Sequence, residues 1–263
     1  MSRFCPLFSS SSGNSIYIGG SDGGILIDAG VSARQLTQAL ARLEIPVDSI
    51  RAILVTHEHS DHVKGLRVMA KNHCLPVFTS HGTAEKLRGS GIADGSFDLK
   101  EIACRPFEAA GMRITPFPLP HDCAEGFGYA VELPDGRRAA VATDLGQMTA
   151  EILAAINGCD LVLLESNHDY AMLRTGPYPL YLKQRILSKY GHLSNEGCAQ
   201  TVPELLKGGT TRFFLGHLSR QNNTPQLAHR SALATLCATG GRENVDFTLE
   251  VAPECDARRV MIF

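Results

Sequence analysis

Net charge, paired cysteines and long apolar runs are all scarce in this 263-residue chain. The formal net charge is −2. No global field therefore draws the protein onto nucleic acid or an anionic membrane, although a local basic face is not excluded. No apolar stretch approaches the ~18 residues of a membrane span. The opening "MSRFCPLFSSSSGN" lacks the apolar core of a secretory leader. None of the eight cysteines stands in C-x-x-C spacing. They read as reduced, mostly buried thiols of a cytoplasmic protein, which argues against a zinc site built on cysteine. No G-K-[ST] follows the serine-rich "SSSSGNS", so it is not a Walker loop and reads as a tight turn close to a site.

Hydrophobic residues make up 44% and charged residues 20%, an ordinary globular balance. "SIYI", "GGILIDAG", "RAILVT", "PVFTS", "MRITPFPLP", "GFGYAVEL", "RRAAVATD", "DLVLLES", "RFFLGH", "VDFTLEVA" and "RVMIF" predict strands. Helices are predicted over 32–43 (capped by Ser32), in "DHVKGLRVMAKN", near 83–87, and over 149–157 with Gly158 beyond. Others are expected over 180–190, over 195–206 with Pro203 kinking or shifting it, and from Thr224 to about 239. Hairpins with interleaved helices fit one compact α/β domain over 1–263, with two sheets and helices on their outer faces.

Seven residues stand apart. "THEHSDH", directly after the apolar "AILV", holds His57, His59, Asp61 and His62 where a buried strand gives way to a helix. Imidazole and carboxylate suit zinc, manganese or iron. Alternation along an extended stretch lets His57 and His59 reach one ion, leaving Asp61 and His62 for a second. The bland alternative is a solvated polar loop, which fits one histidine better than three. Glu58 is expected to be solvated and Ser60 to cap the helix. His121, Asp144 and His217 are further ligand types at strand ends. Singly, each is as readily a polar cap.

As a set, H-x-H-x-D-H, a later His, a "TD" Asp and a "GH" His resemble the metallo-β-lactamase superfamily. The resemblance implies an αβ/βα four-layer sandwich with two divalent metal ions. His57, His59 and His121 would hold the first, Asp61, His62 and His217 the second, and Asp144 would bridge them. "SSSSGNS", "THEHSDHVKGL", "LPHD", "TDLG", "LLESNHD", "RILSKYGHLSNE" and "GHLSRQNN" are similar to the YycJ/WalJ group of DNA exonucleases. That implies 5′-to-3′ digestion of DNA, linked to repair. The expected nucleophile is a water ionised by the shared metals. Asp61 would orient it, with His192 and His168 as candidate acids for the leaving group.

Substrate contacts are expected from Arg174, Lys183 and Arg185, set among tyrosines in the acid-free stretch 170–190. A solvated helix face explains that pattern equally well. Ser194 as a helix cap, with His192 and Asn195, is placed to hold a phosphate. Ser219 and Asn222 are weaker candidates. His168 and Asp169 are also candidates to orient metal ligands. The rival readings are a small-molecule hydrolase (a cyclic phosphodiesterase or a glyoxalase II-type thioesterase) and a non-catalytic binding protein of the same fold. Intact ligands argue against the last. Metal identity and oligomeric state are not readable from the sequence.

Overall fold

A computed structural model describes residues 1–20, 22–255 and 260–263. Its first elements are β1 (Arg3–Ser10), β2 (Gly13–Gly20), β3 (Gly23–Ile27), α1 (Ala33–Arg42), β4 (Ile50–Leu54), α2 (Ser60–Val63) and α3 (Leu66–Asn72). Then come β5 (Val77–Thr79), α4 (His81–Gly89), β6 (Leu99–Glu101), β7 (Phe107–Ala109), β8 (Met112–Leu119), β9 (Gly126–Glu132), β10 (Arg138–Ala142), α5 (Ala150–Ile156) and β11 (Leu161–Glu165). The rest are α6 (Tyr170–Thr175), α7 (Leu180–Ile186), α8 (Asn195–Lys207), β12 (Arg212–Gly216), α9 (Pro225–Ala238), β13 (Thr248–Val251) and β14 (Met261–Ile262). No helix among the described residues is long and apolar enough to cross a membrane.

The backbone groups into two compact units. One comprises Met1–Pro118, Cys123–Arg137 and Pro253–Phe263; the other comprises Leu119–Asp122 and Arg138–Ala252. In the first, strands run in the order β14-β1-β2-β3-β4-β5-β6. The β1–β2 and β2–β3 pairs are antiparallel, whereas β3–β4 and β4–β5 are parallel. Leu36, Ala39 and Leu40 of α1 and Leu66, Met69 and Ala70 of α3 pack into its core with Leu7, Tyr17, Leu26 and Ile53. Because β3 and β4 are parallel and Ile27 pairs with Leu54, the residues after both strands emerge at one edge. In the second unit β10, β11, β12 and β13 are parallel neighbours. Ala142 pairs with Leu164 and Glu165 with Gly216, so Asp144, Glu165 and His217 likewise share a carboxyl edge. Loops at such edges are where parallel sheets put their chemistry.

Ser32 caps α1 through a capping box with Gln35, and Ser194 and Thr224 cap α8 and α9. α8 runs unbroken through Pro203. The helix predicted in "DHVKGLRVMAKN" is two helices, divided at Lys64 and Gly65, where the Gly65 N–H turns to the Ala29 carbonyl. Ser60 is not the cap: His59 occupies that position with no side-chain bond. The helix predicted over 180–190 stops at Ile186. β14 covers part of "RVMIF", whose Arg259 lies outside the described residues. All eight cysteines are free thiols, but only Cys5, Cys159 and Cys198 are buried; Cys74, Cys104, Cys237 and Cys255 are exposed, outside the two cores.

Candidate metal centre

In the first unit two residues of the histidine-rich loop, His62 directly and His57 through Thr56, hang on one buried acid. Asp28 follows β3 and accepts from the Thr56 N–H and hydroxyl, both at 2.8 Å. The same carboxylate lies 2.7 Å from His62 Nδ1. Burial pushes the Asp28 carboxyl up, and the His62 ring and the Thr56 bonds oppose that rise. The Thr56 hydroxyl gives its proton to Asp28, so it accepts from His57 Nδ1 at 3.0 Å. Asn14 Nδ2 stands 3.1 Å from His62 Nε2, which places that nitrogen's lone pair toward the amide donor. His57 and His62 are buried, while His59 and Asp61 are half-buried. Gly30 allows the loop to close: a Cβ there would lie 1.7 Å from the Asp61 carbonyl oxygen.

The second unit repeats the device. Glu165 ends β11 and is fully buried. Its Oε1 lies 2.9 Å from His217 Nδ1 and 2.8 Å from His192 Nδ1. Its Oε2 accepts from the Leu145 and Leu193 N–H groups at 3.0 and 3.1 Å. Burial alone would raise this carboxyl; the His192 and His217 rings overcome it and hold the group well below the usual carboxylate range. Asp144 Oδ1 lies 3.5 Å from His217 Nδ1 and 3.6 Å from His192 Nδ1. Asp144, Glu165, His192 and His217 thus offer ligand atoms within 4.8 Å of one another. His121 Nδ1 donates to the Gly191 carbonyl at 3.1 Å, and burial lowers its pKa.

One rule joins these contacts. His57, His62, His121, His192 and His217 each have Nδ1 against an acceptor. A proton fixed on Nδ1 makes Nε2 the lone-pair nitrogen, which is how metal-binding imidazoles are oriented. The donor set of neutral imidazoles and carboxylates fits divalent ions. By contrast, His81 pairs with Glu101 on the surface and His229 with Glu243, so both are ordinary structural histidines.

Several expectations need correction. Glu58 is not free in solvent: it accepts from the Ala124 N–H at 2.8 Å and pins that loop. Asn195 cannot serve a substrate, because its amide is buried against Ser166 and Asn223. Ser219 and Asn222 close their own turn, Asn222 N–H donating to Ser219 Oγ at 3.2 Å. Asp169 caps α6 rather than orienting a ligand. Lys183 Nζ donates to the carbonyls of Arg174 and Gly176, and Arg185 pairs with Asp122. Only Arg174 of the three predicted cations is exposed without an acidic partner among the described residues. His168 is buried and touches none of the acids that orient the other rings. Ser194 is half-buried and its hydroxyl accepts from the Gly197 N–H. Asp28 and Glu165 were missed, although each is an acid ending an apolar strand, as Asp144 is.

The chain matches the model of the β-lactamase superfamily domain over residues 24–218. It is 36% identical over 237 residues to the exodeoxyribonuclease YycJ of Bacillus anthracis, covering 89% of each chain. It is 34% identical over 248 residues to the exodeoxyribonuclease WalJ of Streptococcus pneumoniae, covering 93% of this chain and 92% of that one. The structure resembles the metallo-β-lactamase fold protein YhfI of Bacillus subtilis, with a TM-score of 0.73 at 14% identity over 97% of this chain and 98% of that one. It also resembles zinc-bound PqqB of Methylobacterium extorquens, with a TM-score of 0.71 at 19% identity over 99% and 100%. Fold, ligand types and relatives agree: the chain belongs to the metallo-β-lactamase superfamily, among YycJ/WalJ-like proteins, and is a metal-dependent hydrolase.

Proposed function

We propose that the protein is a DNA exonuclease that removes nucleotides from the 5′ end with two divalent ions. His57, His59 and His121 would hold one ion, and Asp61, His62 and His217 the other, with Asp144 shared. Zinc, manganese and iron all suit these donors. The observation that carries the reading is the fixing of four of the five ligand imidazoles, His57, His62, His121 and His217, through Nδ1 by Thr56, Asp28, Gly191 and Glu165. Likeness to two exodeoxyribonucleases over about nine-tenths of the chain directs it toward DNA.

When bound, such ions lower the pKa of a water toward about 7 and neutralise phosphoryl charge. The chain's own groups do the rest. Asp61 orients the attacking water through its carboxylate. His192, whose Nδ1 donates to Glu165, serves the departing sugar oxygen by taking up a second proton on Nε2 and passing it on, with the Glu165 carboxylate offsetting the charge of the doubly protonated ring. Ser194 sits at the N-terminus of α8, where backbone N–H groups favour a phosphate. Tyr170, Tyr181 and Tyr190 are about half or more exposed, and Lys189 lies 4.9 Å from the Tyr190 ring centroid. That surface suits an unstacked strand. It also separates the nuclease from a cyclic phosphodiesterase or thioesterase, neither of which needs it. The partnering of Lys183 and Arg185 shifts the burden of that distinction onto Arg174, Lys189 and the tyrosines.

The test is digestion of end-labelled single- and double-stranded DNA and RNA with each metal, using Asp61→Ala to exclude a contaminant. The expected result is metal-dependent loss of nucleotides from 5′ ends of DNA that Asp61→Ala abolishes. Hydrolysis of thioesters or cyclic nucleotides with no action on DNA would overturn the proposal.

A further inference from the structure

Within the second unit a cavity of about 540 Å³ opens beside His192 and runs along one face of α8. That volume lies within the ~300–1,000 Å³ of small-ligand sites. Ser194, Gly197, Gln200 and Glu204 line it at helical spacing, and Met148, Leu153 and Leu187 supply apolar wall. Gly146 lets its rim form: a Cβ there would lie 2.3 Å from the Lys189 carbonyl carbon. Tyr170 also lines the cavity and is 48% exposed.

His168 makes the cavity more than a surface groove. The residue is among those that line the space, it is 1% exposed, and neither of its buried ring nitrogens has a hydrogen-bond partner among the described residues. Buried polar groups are normally satisfied, so this one points to a missing partner. Burial keeps the ring neutral by lowering its pKa. A neutral imidazole offers one donor and one acceptor. A phosphate only accepts and would satisfy one of them. The two ring nitrogens point from opposite edges of the imidazole, so a nucleobase edge likewise meets only one of them; what a base adds over phosphate is a pair of faces that suit the apolar wall and the Tyr170 ring.

We propose that this cavity holds the base of the terminal nucleotide of the DNA strand, with His168 on the base edge and Gln200 beside it. The inference rests on the nuclease reading and deepens it. A cavity taking one base next to His192 explains why the enzyme would work from an end rather than within a strand.

The experiment measures calorimetric binding of dAMP and of 2-deoxyribose 5-phosphate to the full-length, metal-loaded protein. Both carry the same phosphate, so the difference reports the base. We expect dAMP to bind at least tenfold tighter. Gln200→Trp, which adds bulk from an exposed position of α8, should cut that preference below threefold while its thermal melt stays that of the parent. His168→Ala should also reduce the preference. Equal affinities for the two ligands, as a buried water on His168 would give, overturn the proposal. So does an unchanged preference in folded Gln200→Trp. Digestion of DNA without any base preference overturns the cavity's role and leaves the nuclease reading standing. A base preference in a protein that digests no nucleic acid supports the cavity as a nucleotide site and overturns the nuclease reading.

Discussion

Glu165→Gln removes one oxygen and one charge from a side chain that has no solvent exposure. The carboxylate accepts four bonds: two from imidazole Nδ1 atoms and two from backbone N–H groups. An amide can accept on one side only. If its NH₂ faces the imidazoles, two N–H donors confront two N–H donors. If the amide turns over, the NH₂ confronts Leu145 and Leu193 instead. Each buried donor left unpaired costs about 1–3 kcal/mol, so either arrangement costs about 2–6 kcal/mol. The cheaper escape is for His192 and His217 to move their protons to Nε2. That restores the hydrogen bonds and removes the lone pair from His217 Nε2, where a metal would bind. Loss of an orienting partner typically weakens metal binding 10- to 100-fold, or about 1.4–2.8 kcal/mol. Zinc competition against a chromogenic chelator reads the affinity, and thermal melts with and without metal read the stability. The expected result is at least tenfold weaker binding with a small change in the metal-free melt. Affinity within twofold of the parent would refute the assignment of Glu165 as the acid that sets the tautomer.

Gly30→Ala drives a Cβ to 1.7 Å from the Asp61 carbonyl oxygen, so the loop must shift; we expect a loss of about 3 kcal/mol in urea unfolding, with weaker metal binding. His168 has its pKa depressed by burial, so below about pH 6.5 the unfolded chain takes up the proton first. The stability from this group is present above that pH and is lost as pH falls. In metal-free protein, His168→Gln should flatten the decline between pH 7 and 5 by up to about 1.4 kcal/mol per pH unit, read from urea midpoints. Asp144→Gly should leave the metal-free Tm unchanged or raised, because Asp144 sits at φ 63°, while metal binding measured by elemental analysis falls sharply.

The sheets and most helices were legible because their signals are local. The pattern Leu36, Ala39, Leu40 and the Ser32 cap predict α1 from a dozen residues, and the structure agrees. β1 was not: Phe4 to Ser10 are all buried, so no alternation exists to read, and Pro6 lies beside a register shift. The ligand types were legible because chemistry restricts them. Their supports were harder, although Asp28 and Glu165 carried the same strand-end signal as Asp144. The substrate residues failed for another reason. Whether Asn195 meets a ligand or Asn223 depends on a chain segment 28 residues away. Whether Lys183 is a phosphate contact or a tie between carbonyls depends on how α6 ends. Composition cannot distinguish those outcomes.

The backbone at the strand ends shows what the fold spends its rigidity on. Asp28, Asp144 and His217 follow β3, β10 and β12, and all three are left-handed, at φ 64°, 63° and 56°. Such a residue costs roughly 1–2 kcal/mol when it is not glycine. A glycine would be more stable there but could neither orient nor bind anything. The strain persists because the side chains are over-determined: Asp28 by Thr56 and His62, His217 by Glu165 and the Asn167 amide on its carbonyl. The left-handed turn stops each strand abruptly and holds its last side chain at the sheet edge instead of letting the chain carry it onward. The same device operates separately in two compact units, each with its own buried acid and its own imidazoles. A hydrophobic core alone would not produce that repetition, since burial favours no tautomer. Metal ligation through Nε2, which needs the proton held on Nδ1, does account for it.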